Sequence, residues 1–196
     1  MKSGIRRGSA GVAIVALLLV SIRLDAKTEI NVQYDKKFAF AGLRTWSWHP
    51  DGAGDVRLAF TADDDPKRVA ARVDPIIIPA VEREMAARGF TRVDGPADLH
   101  LHYYVLGTVG TASQTHGQFL PSVPEWGIPP FTPSTSALSI YPVGTLIIDV
   151  TSPAVQAIVW RGSAAREINL ERPPDERRQV LERAVRDLLR RFPQKK

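Results

Sequence analysis

The amino-acid sequence predicts an α+β domain of two layers, an antiparallel-rich sheet with two helices packed on one face, in the order β-β-α-β-β-β-α. Three observations predict it. Residues 144–150 (GTLIIDV) and 155–162 (VQAIVWRG) are alternating apolar runs separated by Thr151, Ser152, Pro153 and Ala154, the pattern of a hairpin with a four-residue loop. Residues 74–88 and 174–191 repeat apolar side chains at helical spacing. Residues 98–106 (DLHLHYYVL) alternate leucine and valine with polar groups, as a half-buried strand does.

The elements follow in chain order. Lys2, Arg6 and Arg7 precede an apolar run of 12 residues, 11–22. As a helix it reaches only about 18 Å, against about 30 Å of membrane hydrocarbon. Residues 1–26 therefore fit an export signal ending at Ala26, or the same segment kept as an N-terminal anchor. Residues 27–196 form a single domain. Ile30, Val32 and Tyr34 alternate with Asn31 and Gln33 in a first strand. Residues 43–48 (LRTWSW) make a second, ended by the turn residues His49, Pro50, Asp51 and Gly52. Residues 51–65 are polar and predict a loop.

The first helix is expected over 74–88, with Asp74 as cap, Pro75 at the first position and Gly89 as the stop. Ile77, Ile78, Val81 and Met85 form its stripe, and Pro79 implies either a helix that begins nearer Pro79 or a bent first turn. Residues 107–142 are rich in Gly, Pro, Ser and Thr and predict a long loop. In the hairpin, pairing Val150 with Val155 sets Ile148 opposite Ala157 and Leu146 opposite Val159, which makes one side apolar. The other side then carries Thr145, Ile147, Asp149, Gln156, Ile158 and Trp160. In the last helix Val180, Leu181, Ala184, Val185, Leu188 and Leu189 share a face. Asp175 and Glu176 complement its positive end, and Arg190 and Arg191 its negative end.

Composition excludes several classes of function. The chain has no cysteine, so it has no disulfide, thiolate metal site, cysteine nucleophile or lipid-modified cysteine. The net charge is +5, but four basic groups and one acid lie in residues 1–26, which leaves +2 for the rest. The arginines of the last helix alternate with acids, so no basic stripe calls for nucleic acid.

Several pieces, in order, resemble a known family: Tyr34-Asp35; Leu43-Arg44-Thr45-Trp46; Ala86-Ala87-Arg88-Gly89-Phe90; Ala97-Asp98-Leu99; Gly144 to Asp149; Val159-Trp160-Arg161-Gly162; and Arg191-Phe192-Pro193. Over residues 28–193 the chain is similar to the bacterial cell-envelope family called domain of unknown function 4136. The resemblance implies a Gram-negative envelope protein, often a lipoprotein, and supplies no catalytic residues. This chain departs from the lipoprotein pattern, having no cysteine to lipidate. A soluble periplasmic or signal-anchored form is then expected.

Chemistry centres on His100 and His102, two apart on one strand and so on one face. They supply half of a zinc or copper site, or the polar side of a sheet with Tyr104. Asp149 is expected on the same side. Trp160 is either a packing anchor or part of a binding face made of His100, His102, Tyr104, Asp149 and Trp160. There is no Gly-x-Ser-x-Gly, and Ser163 lacks the rest of that elbow. No phosphate-binding loop is present, and Asp63, Asp64 and Asp65 fit a solvated loop. The expectation is a non-catalytic, periplasmic binding or structural module, not an enzyme, with no cofactor and no metal. Its partner would be an envelope protein or a glycan, with membrane association if the N-terminal segment is kept. The rival is a metal-dependent hydrolase using His100 and His102.

Overall fold

A computed structural model describes residues 27–59, 65–116, 135–169 and 171–193. The expected signal or anchor at 1–26 lies outside the described residues, as does the middle of the expected 107–142 loop. The elements are β1 (Glu29–Tyr34), β2 (Thr45–Trp48), β3 (Gly54–Leu58), α1 (Pro66–Ala87), β4 (Thr91–Arg92), β5 (Leu99–His116), β6 (Thr135–Ser152), β7 (Ala157–Glu167) and α2 (Pro174–Leu189). The α+β class stands, but the order is β-β-β-α-β-β-β-β-α.

The sheet has seven strands in the order β1-β7-β6-β5-β2-β4, with β3 also paired to β5. It is mixed, not antiparallel-rich. β1, β7, β6 and β5 are antiparallel neighbours, while β2 and β3 run parallel to β5 and β4 runs parallel to β2. The cause is the connection. Two parallel strands need a crossover, and α1 provides it between β3 and β5. The polar composition of 51–65 conceals β3, whose only large apolar residues are Val56 and Leu58.

β2 and β3 lie end to end along one edge of β5. Trp48 is opposite Leu101 and Gly54 is opposite Tyr103. The single step at His102 therefore faces residues 49–53, which loop out of the ladder. His49 N–H donates to the Leu101 carbonyl at 2.9 Å, and Tyr103 N–H to the Ala53 carbonyl at 2.9 Å, so both ends of this outward loop are held. Gly52 has φ 118°, a conformation that favours glycine.

Helix α1 starts earlier than Asp74. Asp65 is its cap, accepting from Lys67 N–H at 2.9 Å, and Pro66 takes the first position. Pro75 and Pro79 lie inside the helix. They are one turn apart and exposed, as is Ala71, so the carbonyls left without amide partners belong to the solvent side. Asp74, freed from capping, accepts a hydrogen bond from the buried Tyr103 hydroxyl. Burial first, then Asp74, pushes that phenol far above its ordinary value. The helix ends as expected. Gly89 has φ 80°, its N–H donates to Ala86, and Phe90 N–H donates to Met85, closing the last turn.

One face of the sheet is apolar, with Leu99, Leu101 and Tyr103 on β5, Leu146, Ile148 and Val150 on β6, and Trp160 and Ala164 on β7. These share a cluster with Ile77, Val81 and Met85 of α1 and Val185, Leu188 and Leu189 of α2. Each fully buried large side chain contributes about 1.5–3 kcal/mol of gross stabilisation. Phe192 joins the pieces, with its ring 5.6 Å from Phe40, 5.8 Å from Phe90 and 5.4 Å from Trp160.

The β6–β7 register differs from the expected one. Ile148 is opposite Gly162, Leu146 opposite Ala164, and Val150 opposite Trp160, while Thr151 is opposite Ile158. Val159 is an extra residue, a β-bulge that reverses the alternation. Trp160 is thereby turned into the core, and the loop becomes residues 153–156, with Val155 exposed. The strands also run beyond the expected hairpin and strand. Residues 107–116 pair with 135–144, so both ends of the expected loop are strand.

Asp98 fixes the start of β2. One of its carboxylate oxygens accepts from the Arg44 and Thr45 amides at 2.7 and 2.8 Å and from the Thr45 hydroxyl at 2.9 Å. The Arg44 bond, then the Thr45 bond, holds this carboxyl below its ordinary range. A lowered carboxyl stabilises the fold above its unfolded value, about 3.9, and loses that stabilisation as pH falls through the folded value. Asp98→Ala should cost about 1–2 kcal/mol at pH 7, and the gap from wild type should close below about pH 4; urea melts across pH check both. A second test concerns Trp160, whose ring covers Gly162. A Cβ at Gly162 would lie 2.4 Å from a Trp160 ring carbon and 3.1 Å from Leu188. Gly162→Ala should lower stability by about 1–3 kcal/mol in the same melts.

Candidate functional site

Alternation along β5 sends His100, His102 and Tyr104 to the face opposite the apolar cluster. Register then determines their neighbours. Thr151 is opposite His100, Asp149 opposite His102 and Ile147 opposite Tyr104. One strand further, Arg161 is opposite Asp149. Ser47 flanks His100 on the β2 side.

The outward loop 49–53 folds over this strip. His102 Nδ1 lies 2.9 Å from the Gly52 carbonyl, so Nδ1 carries the proton and donates. Its Nε2 is buried and makes no hydrogen bond, and the Asp55 carboxylate is 3.8 Å away. The His49 ring stands edge-on at 5.7 Å from His102 and 6.1 Å from His100. Tyr104 lies against His102 at 4.7 Å. Three imidazoles and a phenol thus form one group of rings. Burial, and secondarily His49, lowers the affinity of His100 for a proton.

Asp149 is 3% exposed yet ionically paired. Arg161 Nε and Nη2 each donate to one of its oxygens at 2.6 Å, a bidentate pair. These bonds raise the guanidinium above its ordinary value, with a smaller contribution from Tyr104. Asp149 is therefore occupied, and the half-exposed Arg161 is the member of the pair that meets solvent. Beside His100 opens a cleft of about 500 Å³, lined by Ser47, Trp48, Pro50, Arg92, Asp94 and His100 among others.

Of the five residues expected on the binding face, the fold assembles His100, His102, Tyr104 and Asp149. Trp160 is on the opposite face, fully buried, with its ring edge-on to Phe192. His49 and Arg161 join the strip instead. Arg161 had no signal in the expected register, which sets Gln156 across from Asp149; the observed register brings Arg161 there instead. His49 had none, because its approach depends on the looped-out segment. Among the described residues, no three His, Cys, Asp or Glu groups are arranged to hold a metal ion.

The geometry defines an α+β domain whose sheet is apolar on the cluster side and bears rings and the Asp149–Arg161 pair on the other. The chain belongs to the family described as Domain of unknown function (DUF4136), which matches residues 30–194. No curated protein matches it. Among solved structures, it is similar to a PDZ domain protein from Parabacteroides distasonis at 10% identity and a TM-score of 0.50. That likeness covers 87% of this chain and only 37% of the other, and it concerns the fold alone. A PelC dodecamer from Paraburkholderia phytofirmans is 10% identical, with a TM-score of 0.36 and coverage of 83% and 95%. A neuraminyllactose-binding hemagglutinin homolog from Helicobacter pylori is 9% identical, with a TM-score of 0.39 and coverage of 78% and 87%. At those scores neither supports an argument about this chain.

The Asp149–Arg161 pair is testable without a ligand. Arg161→Ala leaves a buried carboxylate without its partner and should cost about 1–3 kcal/mol, moderated because Arg161 is half exposed. Arg161→Lys should recover only part of this, since an ammonium cannot bond both oxygens in parallel. Urea denaturation of the two variants provides the comparison.

Proposed function

We propose that this chain is an exported, non-catalytic domain of the bacterial cell envelope, working in the periplasm as a binding module. In this reading the domain has two layers. The helices close one sheet face, and the opposite face recognises a polysaccharide or an envelope protein that carries one. The observation that carries the reading is the group formed by His49, His100, His102 and Tyr104 beside the Asp149–Arg161 pair. Rings offer flat apolar faces with polar edges, and the guanidinium offers donors, which together suit the two kinds of surface on a sugar. The cleft at His100 extends this surface toward Arg92 and Asp94. Family membership supports the envelope setting through the resemblance described above. Among the described residues no helix is long and apolar enough to cross a membrane.

The test is co-sedimentation of the purified protein with insoluble cell-wall polysaccharide. Wild type should pellet with it. Tyr104→Ala and His49→Ala should weaken binding by about tenfold each, because each removes ring contact at the centre of the surface. Their melting temperatures should stay near wild type. Undiminished binding by both variants would sink the reading. The rival, a metal-dependent hydrolase using His100 and His102, would gain from stoichiometric zinc in protein purified without a histidine tag.

A further inference from the structure

The longest strands run past the rest of the sheet. β3 stops at Leu58, opposite Gly107, and β7 stops at Glu167, opposite Val143. Beyond those points, apart from the Ile168 N–H that donates to the Pro142 carbonyl at 2.8 Å, β5 and β6 pair among the described residues only with each other, through His116 and Thr135. The result is a two-stranded arm. From Thr108 to His116 it extends about 27 Å at about 3.4 Å per residue. Residues 108–116 and 135–142 contain no Asp, Glu, Lys or Arg, in a chain that is 24% charged. On the arm, Val109 is opposite Pro142 and Thr111 is opposite Ile140, continuing the apolar face of Tyr103 and Val105 past the reach of the helices. Val109 is 55% exposed and Ile140 is 67% exposed.

The beginning of the described chain lies at the same end. Glu29 is opposite Ala165, Ala165 is opposite Thr145, and Thr145 is opposite Leu106. β1 is antiparallel to β5 through these three pairings, so the chain upstream of Glu29 leads toward the arm. Only six residue steps separate Ile22, the last of the apolar run 11–22, from Thr28. Six steps span about 20 Å at most. The arm is longer than this tether. With the run seated in a bilayer, this short tether keeps the arm end of the sheet close to the lipid surface.

We infer that the β5–β6 arm is a membrane-contact surface, laying the apolar face of Val109 and Ile140 on the bilayer that holds the N-terminal segment. An uncharged ribbon with an exposed apolar side is the chemistry that partitions into the headgroup boundary. The inference rests on the envelope setting proposed above, with residues 1–26 kept as the anchor. It is independent of the ring strip, and its experiment reads the arm alone.

The absence of cysteine allows a single label to be placed at will. The full chain, residues 1–196, is prepared as Val109→Cys, Ile140→Cys and Val155→Cys, each carrying an environment-sensitive fluorophore. Val155 is the control, exposed and apolar at the opposite end, in the β6–β7 loop. The variants are mixed with phosphatidylcholine vesicles and floated. The labels at 109 and 140 should shift to the blue and lose about threefold or more in iodide quenching, while the label at 155 should not change. The inference is overturned if the chain fails to float. It is overturned equally if floated protein keeps its arm labels quenchable, or if all three labels are shielded alike. Shielding at 109 and 140 that grows with protein concentration in the absence of vesicles would assign the face to a second copy of the chain and also overturn it.

Discussion

The domain depends on the two-sided anchoring of β5. One edge is paired along its length with β6, and the other with β2 and then β3. A strand held on both sides cannot slip by one residue without exchanging its faces. Leu99, Leu101 and Tyr103 are thereby committed to the apolar cluster, and His100, His102 and Tyr104 to the opposite side. Everything beside β5 inherits the choice. Asp149 and Arg161 join the ring side because they stand in register with His102. Tyr103 secures the arrangement from within, since its hydroxyl bonds Asp74 of α1 and its ring covers Gly54 of β3. One side chain thus ties the central strand, the crossover helix and the edge strand together.

Much of this was legible in the residues, and the failures share physical causes. β1, β2, the core alternation on β5, the apolar side of β6, the stop at Gly89 and the face of α2 each follow from a local rule that nothing nonlocal overrides. The register of β7 was not legible. Val159 is inserted by a bulge, and a bulge leaves no mark in alternation except the two adjacent buried residues Val159 and Trp160. The first turns of α1 were hidden because Pro75 reads as a beginning when it is an interior residue on the exposed side. β3 was hidden because a short edge strand needs little apolar content. His49 reached the ring group through a loop whose path is set by hydrogen bonds to β5 at both ends.

The motifs by which the chain resembles its family sort in an instructive way. Thr45 and Asp98 bind one another at the head of β2. Gly89 and Phe90 close α1. Trp160 covers Gly162, Asp149 grips Arg161, and Phe192 gathers the core rings. All but the Asp149–Arg161 pair are scaffold interactions. The rings of His49, His100, His102 and Tyr104 are not among the motif residues. The resemblance motifs therefore describe the frame together with the Asp149–Arg161 pair of the strip.

The looped-out residues 49–53 have a consequence for behaviour in a crowded compartment. β4 already covers the outer edge of β2 at Thr45 and Trp46, and without the outward loop that edge would run on from Trp48 through β3 as a straight row of free amides and carbonyls. Such rows template runaway stacking of sheets between molecules, the route to fibrous precipitates. The interruption leaves β3 as a separate segment of only 5 residues. A protrusion with its own hydrogen bonds stands between it and β2. The same feature that brings His49 over the strip also acts as a guard against self-association into insoluble aggregates.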